Sequence, residues 1–327
     1  MMTPLRFQEL YERDWAELQS LLDALSTATL TSGPRDGASG ARAAALYRQA
    51  CEHLALARAR SYPAYIIDHL EDLTSRAHQL IYQQREFGLG RLRRLINIDF
   101  PCAVREHRAY VAVAAATFLL PTLLVGLLVY SRPEMILSVV DSDTATEFEQ
   151  MYSPDAGSIG RTREARTDWT MFGYYIRNNV GVAFQCFAGG LFAGLGTLFF
   201  LAYNGAFGGA LAGYLTGRGL SSTFYSFIAT HSAFELTAIV LAGAAGLRMG
   251  HALLSPGRLT RRQSLVQASR ESMVLIYGVT AMLLVAAGVE AFWSSATWIA
   301  PTVKYGVAAV CWLAVLGYFT LQGRHAG

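Results

Sequence analysis

Two hydrophobic patterns divide this chain near residue 108. Before it, apolar residues recur every three or four positions with charges between them, the pattern of helices that bury one face. Phe7 to Leu25, Ala41 to Arg60 and Pro63 to about Phe87 each read this way. In the first, Leu10, Leu18, Leu21, Leu22 and Leu25 approximate the repeat. Thr31 to Gly40 (TSGPRDGASG) is a loop by its turn residues, and Pro63 suits a first helical turn, where its missing N–H would have no partner anyway. Residues 1–88 therefore predict a small helical region. Residues 89–108 (LGRLRRLINIDFPCAVREHR) set five arginines beside Leu, Ile and Phe, which predicts an amphipathic juxtamembrane helix or elbow.

After residue 108 the periodicity gives way to long apolar runs, at about 109–130, 178–203, 204–219, 223–254, 272–293 and 303–322. A run near 20 residues matches the hydrocarbon thickness of a bilayer. Residues 109–322 are thus expected to form a transmembrane domain with an extracytoplasmic loop at 131–177. That loop holds eight acids against five arginines, whereas 255–271 (SPGRLTRRQSLVQASRE) holds four arginines and one acid. Basic loops stay inside, so the first is read as external and the second as cytoplasmic. With Asn204 and the Arg258–Arg262 stretch on one side, the segment between them crosses an even number of times or forms a re-entrant hairpin. Two crossings are preferred, although 16 helical residues at about 1.5 Å each fall short of a 30 Å core. Asn204 is expected to cap the short 204–219 helix.

Composition sharpens this picture. Hydrophobic residues make up 53% and charged residues 16%, an imbalance that argues against an ordinary soluble enzyme. The fold class expected is all-α: a polytopic bundle of about five or six spans, one short or re-entrant, with a cytoplasmic N-terminal helical region. The first 20 residues lack the basic start, apolar core and cleavage site of a signal peptide, so the N-terminus is expected in the cytoplasm. Cys51, Cys102, Cys186 and Cys311 show no paired spacing and are read as buried apolar fillers. Trp169, Phe172, Tyr174 and Tyr175 read as an interfacial aromatic belt.

The sharpest chemical signal lies in THSAFELTAIVLAGAAGLRMG, residues 230–250. His231 and Glu235 are four residues apart, on one helix face about 5 to 6 Å apart at their Cβ atoms. A carboxylate at bilayer depth costs a few kcal/mol, about 2.5 to 3.5 on insertion scales, so it faces a partner or a cavity rather than lipid. Ala242 and Gly246 share that face, which another helix can approach closely. The pair reads as an interhelical lock, a proton relay or an ion-coordinating site. Depth matching adds Asn178, Asn179 and Glu290, with Arg177 and Lys304, to a candidate intramembrane polar site. For Arg177, Glu290 and Lys304, anchoring of helix ends in the headgroups is the competing reading. No metal site is expected, since H-E-x-x-H is absent and zinc needs three protein ligands. No nucleotide loop, nucleophile-base spacing or cofactor motif occurs, so neither catalysis nor nucleic acid binding is expected.

Gly205, Gly209, Gly213 and Gly217 recur every fourth residue in NGAFGGALAGYLTGRG. Gly190/Gly194 and Gly246/Gly250 add two more small-xxx-small pairs. These are helix-packing signals, within one chain or in a homo-oligomer.

The run FGYYIRNNVGVAFQCFAGGLFAGLGTLFFLAYNGAFGGALAGYL, followed by HSAFELTAIVLAGAAGLRMGHALLSPGRLTRR, resembles the stage II sporulation protein M family over about Trp169 to Arg262. The paired asparagines, the YNG turn, H-x-x-x-E and G-A-A-G-L-R-x-G carry the resemblance together. It implies a polytopic bacterial inner-membrane protein without known catalysis, acting as an anchor or recruiter in an envelope-associated complex. Relatives encoded near MoxR-type AAA ATPases imply a cytoplasmic partner of that kind. The long N-terminal region departs from the sporulation member. Two functions follow as expectations: a non-enzymatic membrane scaffold, or a channel or transporter for ions, protons or a small solute using His231 and Glu235.

Overall fold

The computed structural model describes residues 2–31, 37–82, 89–156, 159–160 and 167–324, which form helices and no strand. The chain divides into two compact units, Met1–Arg91 and Leu92–Gly327.

The first unit is a three-helix bundle: α1 (Pro4–Thr31), α2 (Gly37–Ala59) and α3 (Ala64–Tyr82). Its core joins Phe7, Trp15, Leu18 and Leu22 of α1 to Leu46 and Ala50 of α2 and to Ile66, Leu70 and Leu73 of α3. The buried stripe of α1 thus runs 7, 15, 18, 22, so Leu10 falls off it and is 57% exposed, against the sequence expectation. The loop expected at 31–40 is shorter, because α2 already starts at Gly37; residues 32–36, and the end of the third predicted helix at 83–88, lie outside the described residues. Arg42–Glu17, Arg58–Glu71 and Arg76–Asp23 tie the helices together at 2.7, 2.7 and 2.5 Å. All three pairs are exposed, and such pairs contribute about 0 to 1 kcal/mol each, so the apolar core carries this unit.

Within that core, Trp15 Nε1 donates to His53 Nδ1 at 3.1 Å. The ring must be neutral there to accept, and burial lowers the His53 pKa from its usual 6.5. A depressed histidine pKa means that the unfolded state binds the extra proton first. The contribution of His53 is therefore complete above about pH 6.5 and shrinks as pH falls below it. Amide exchange in α1–α3, corrected for intrinsic rate, is expected to accelerate between pH 7 and 5.5, and a His53→Gln chain should lose most of that dependence.

The boundary between the units falls inside α4 (Leu89–Arg94), which is followed by a π turn (Leu95–Asp99) and α5 (Phe100–Glu106), which bends at His107 into α6 (Arg108–Ser131). A 3-10 turn (Pro133–Ser138) and α7 (Ser142–Met151) follow, then α8 (Asp168–Ala188), α9 (Leu195–Gly217), α10 (Ser221–Leu254), α11 (Arg261–Val289, continuing as a π turn over Glu290–Ser294) and α12 (Pro301–Leu321). Among the described residues, five helices are long and apolar enough to cross a membrane: α6, α9, α10, α11 with its π turn, and α12. α8 is a sixth long helix of the bundle and carries Arg177, Asn178 and Asn179.

Segmentation differs most from the sequence expectation between residues 178 and 219. The runs at 178–203 and 204–219 are not two spans joined at Asn204. The break lies at the 3-10 turn Gly189–Leu191, followed by Ala193 and Gly194 at φ 54° and 85°. Left-handed backbone at Gly194 ends the turn cheaply because glycine has no Cβ to clash. Asn204 is in mid-helix, donating Nδ2 to the Phe200 carbonyl at 2.7 Å, so it caps nothing. α9 is a full 23-residue helix of about 34 Å, neither short nor re-entrant.

The bundle has an arginine end and an acidic end. At the first, Tyr110 bonds His251, Arg105 Nη1 donates to the Phe319 carbonyl at 2.9 Å, and Arg248 meets Glu271 at 2.7 Å. The basic loop there is confined to Ser255–Thr260, because a capping box of Thr260 and Gln263 starts α11 early and carries Arg261, Arg262 and Arg270 on a helix. At the acidic end, the described part of the predicted loop 131–177 is largely helical and folds back on the bundle. Tyr152 is buried edge-on against Phe224 and Phe227, and Tyr175 Oη donates to the Gly160 carbonyl at 3.0 Å. Tyr175 is therefore a core residue; Trp169 and Tyr174 remain exposed, as an aromatic belt requires. Of the cysteines only Cys186 is buried, and all four are free.

Candidate functional site

Close helix contact concentrates the small residues. A Cβ at Gly205, Gly209 or Gly213 would lie 2.2 Å from the carbonyl oxygen of Phe118, Thr122 or Gly126 respectively, so α9 touches α6 backbone to backbone. Gly217 has more room: a Cβ there would lie 3.7 Å from Pro133 Cγ and 3.8 Å from the Tyr130 carbonyl oxygen. Gly190 would meet the Gly246 carbonyl at 2.2 Å and Gly250 would meet Gly194 N at 2.3 Å, drawing the α8–α9 turn onto α10. These approaches fix the depth at which polar side chains on α8, α10 and α11 face one another.

Near the acidic end, α10 supplies His231 and Glu235 from one face, with His231 Nε2 3.8 Å from Glu235 Oε2. The π turn ending α11 supplies Glu290 and Ser294. One ligand atom from each of His231, Glu235 and Glu290 lies within 4.8 Å of the other two. His231 and Glu290 are 5% and 8% exposed, so the group sits inside the bundle. Widening a helix by one residue per turn re-aims side chains, and here it brings Glu290 and Ser294 to the same neighbour. Ser294 Oγ meets His231 Nδ1 at 3.0 Å, and Lys304 Nζ donates to the Ser294 carbonyl at 2.7 Å. Thr230 Oγ1 donates to the Lys304 carbonyl at 3.3 Å, joining α10 to α12.

Of the candidates read from sequence, the fold brings His231, Glu235, Glu290 and Asn179 together. Asn179 is buried beside Glu290 and takes the Asn178 amide on its Oδ1 at 2.9 Å. Asn178 and Arg177 point outward. Glu290 and Lys304 are buried rather than anchored among headgroups. Ser294 and Tyr152 carried no signal in the sequence: serines are common in such helices, and Tyr152 stands in an acidic stretch read as loop. Burial raises the Tyr152 phenol well above its usual value, and the nearby Glu290 and Glu235 add to this, so it remains a neutral group against the cluster. Further out, Glu149 accepts from Tyr214 Oη at 2.5 Å and from Arg218 Nε at 2.8 Å. Burial alone would raise the Glu149 carboxyl, but those two bonds and the guanidinium charge hold it below the usual carboxylate range. This network clamps α7 to the α9–α10 turn over the buried cluster.

An apolar groove of about 500 Å³ opens elsewhere, lined by Phe100, Tyr277, Met282, Val315 and Phe319. Its lining offers no chemistry beyond that of an acyl chain.

Residues 5–83, most of the first unit, match the family described as a domain of unknown function, DUF8413. No curated protein and no solved structure matches the chain. Residues 114–295 match the family described as Stage II sporulation protein M, a stretch that starts in α6, includes Asn179, His231, Glu235, Glu290 and Ser294 and covers more than half of the chain. This multi-pass helical membrane protein belongs to the stage II sporulation protein M family.

Proposed function

We propose that the chain is a non-enzymatic scaffold of the bacterial inner membrane. In this reading the bundle is a fixed anchor, and the first unit recruits a cytoplasmic partner, of which a MoxR-type ATPase is one candidate. The observation that carries it is the division of the chain into a polar three-helix unit with its own core and an apolar bundle whose helices meet at van der Waals limits. Orientation follows from charge. Arg105, Arg108, Arg248, Arg258, Arg261 and Arg262 gather at one end of the bundle, whereas Asp141, Asp143, Glu147 and Glu149 stand at the other. The positive-inside rule puts the arginine end, and with it both termini, in the cytoplasm. An envelope-side partner would then meet α7.

Transport is the second reading, favoured by the convergence of Glu290 on the His231/Glu235 pair, since buried carboxylates also line ion paths. Purified protein in liposomes separates the two. The scaffold predicts no proton, sodium or potassium flux above protein-free vesicles under any of the three gradients. Flux that falls at least tenfold in Glu235→Gln would replace the scaffold with a transporter.

A further inference from the structure

We propose that His231, Glu235 and Glu290 form a binding site for one divalent transition-metal cation of the zinc class, held between α10 and the π turn of α11. This goes beyond the scaffold reading and does not rest on it, because an anchor and a transporter could each hold such an ion.

Geometry comes first. Tetrahedral ligands at about 2.1 Å from a metal stand about 3.4 Å apart. His231 Nε2 and Glu235 Oε2 are already 3.8 Å apart, and no separation in the triad exceeds 4.8 Å, so tetrahedral spacing is reached by glutamate rotations of about 1.4 Å or less. One imidazole with two carboxylates leaves a fourth position open and is the donor set of zinc and its neighbours rather than of magnesium or calcium.

The histidine is oriented as a ligand. Ser294 Oγ lies 3.0 Å from Nδ1 and can accept its proton, and in that tautomer the Nε2 lone pair faces the carboxylates. Lys304 pins the Ser294 carbonyl behind it.

An independent observation points inward. Glu290 Oε2 and Asn179 Nδ2 are buried and, although the two side chains lie side by side, neither atom makes a hydrogen bond of normal geometry among the described residues. A buried polar atom without a well-formed bond is costly, more so when charged, so this carboxylate oxygen can take a further partner. A dication supplies it, and it also cancels the two carboxylate charges, which an apolar bundle would otherwise have to carry.

The test uses full-length protein in detergent, stripped with a chelator and dialysed, and titrated with Co2+ alone. One equivalent is expected to give visible d–d absorption that Zn2+ abolishes. Glu290→Gln and His231→Gln should each weaken Co2+ binding at least 100-fold, and Ser294→Ala by about 10- to 100-fold, as outer partners of metal-bound histidines do. Arg258→Gln should leave it unchanged. Absence of a one-equivalent signal in the wild type overturns the proposal, as does a signal that persists in both ligand variants. Should those variants fail to fold, the X-ray absorption spectrum of Zn2+-loaded wild type decides. One imidazole with oxygen ligands supports the site; two or more imidazoles, or sulfur, overturn it.

Discussion

Gly209→Ala and Gly213→Ala are each expected to destabilise the bundle by about 1 to 3 kcal/mol, the usual penalty for overpacking a tight interface, while Gly208→Ala changes stability by about 0.5 kcal/mol or less. The three positions lie on one helix within six residues, so helix propensity and bilayer depth are nearly shared. They differ in what a methyl group meets. At Gly209 and Gly213 it would lie 2.2 Å from a main-chain oxygen of α6, and at Gly208 there is nothing within 4 Å. Main chain cannot swing aside as a side chain can, so the two helices must separate along their whole contact. Thermal unfolding of the detergent-solubilised variants measures the effect. Equal losses at Gly208 and Gly209 would show that α9 does not sit on α6 through this face.

Trp15→Ala is expected to remove about 3 to 5 kcal/mol from the first unit, since it empties a large core site. That is a large share of the 5 to 15 kcal/mol that a domain of ordinary size holds in total. The indole is 4% exposed, is packed against Phe7 and His53, and loses its donor bond to His53 in the same substitution. Limited proteolysis should then cut within α1–α3 while residues beyond Leu92 resist and the protein still inserts. Under the scaffold reading, co-purification of cytoplasmic partners is lost as well. A Trp15→Ala chain as protease-resistant as wild type would mean that the three helices do not share this core.

How much of this was legible in the sequence varies with the range of the interaction. The three leading helices follow from periodicity and most apolar spans from the length of the run, and both are local properties. His231 and Glu235 were visible for the same reason, as an i,i+4 pair. Glu290 was visible as a carboxylate at the edge of a span, but its meeting with the pair depends on how α11 lies against α10, and on a π turn that leaves no compositional trace. The spacing of Gly205, Gly209 and Gly213 announced a contact surface without naming α6, because the partner contributes carbonyl oxygens, which every residue possesses. The break at Gly189–Gly194 was missed because glycines stand on both sides of it. What separates it from Asn204 is left-handed backbone at Gly194, a property of the folded turn.

The position of α10 at the centre of the bundle also bears on how the protein is made. Its polar face is completed by Glu290, Ser294 and Lys304, all of which emerge from the ribosome after it. At about 5 to 20 residues per second, the chain from Glu235 to Lys304 takes roughly 3 to 14 seconds to synthesise. For that interval α10 is a finished helix with an uncompensated His–Glu face. Its release into lipid together with α11 and α12, rather than alone, follows from where its partners are encoded.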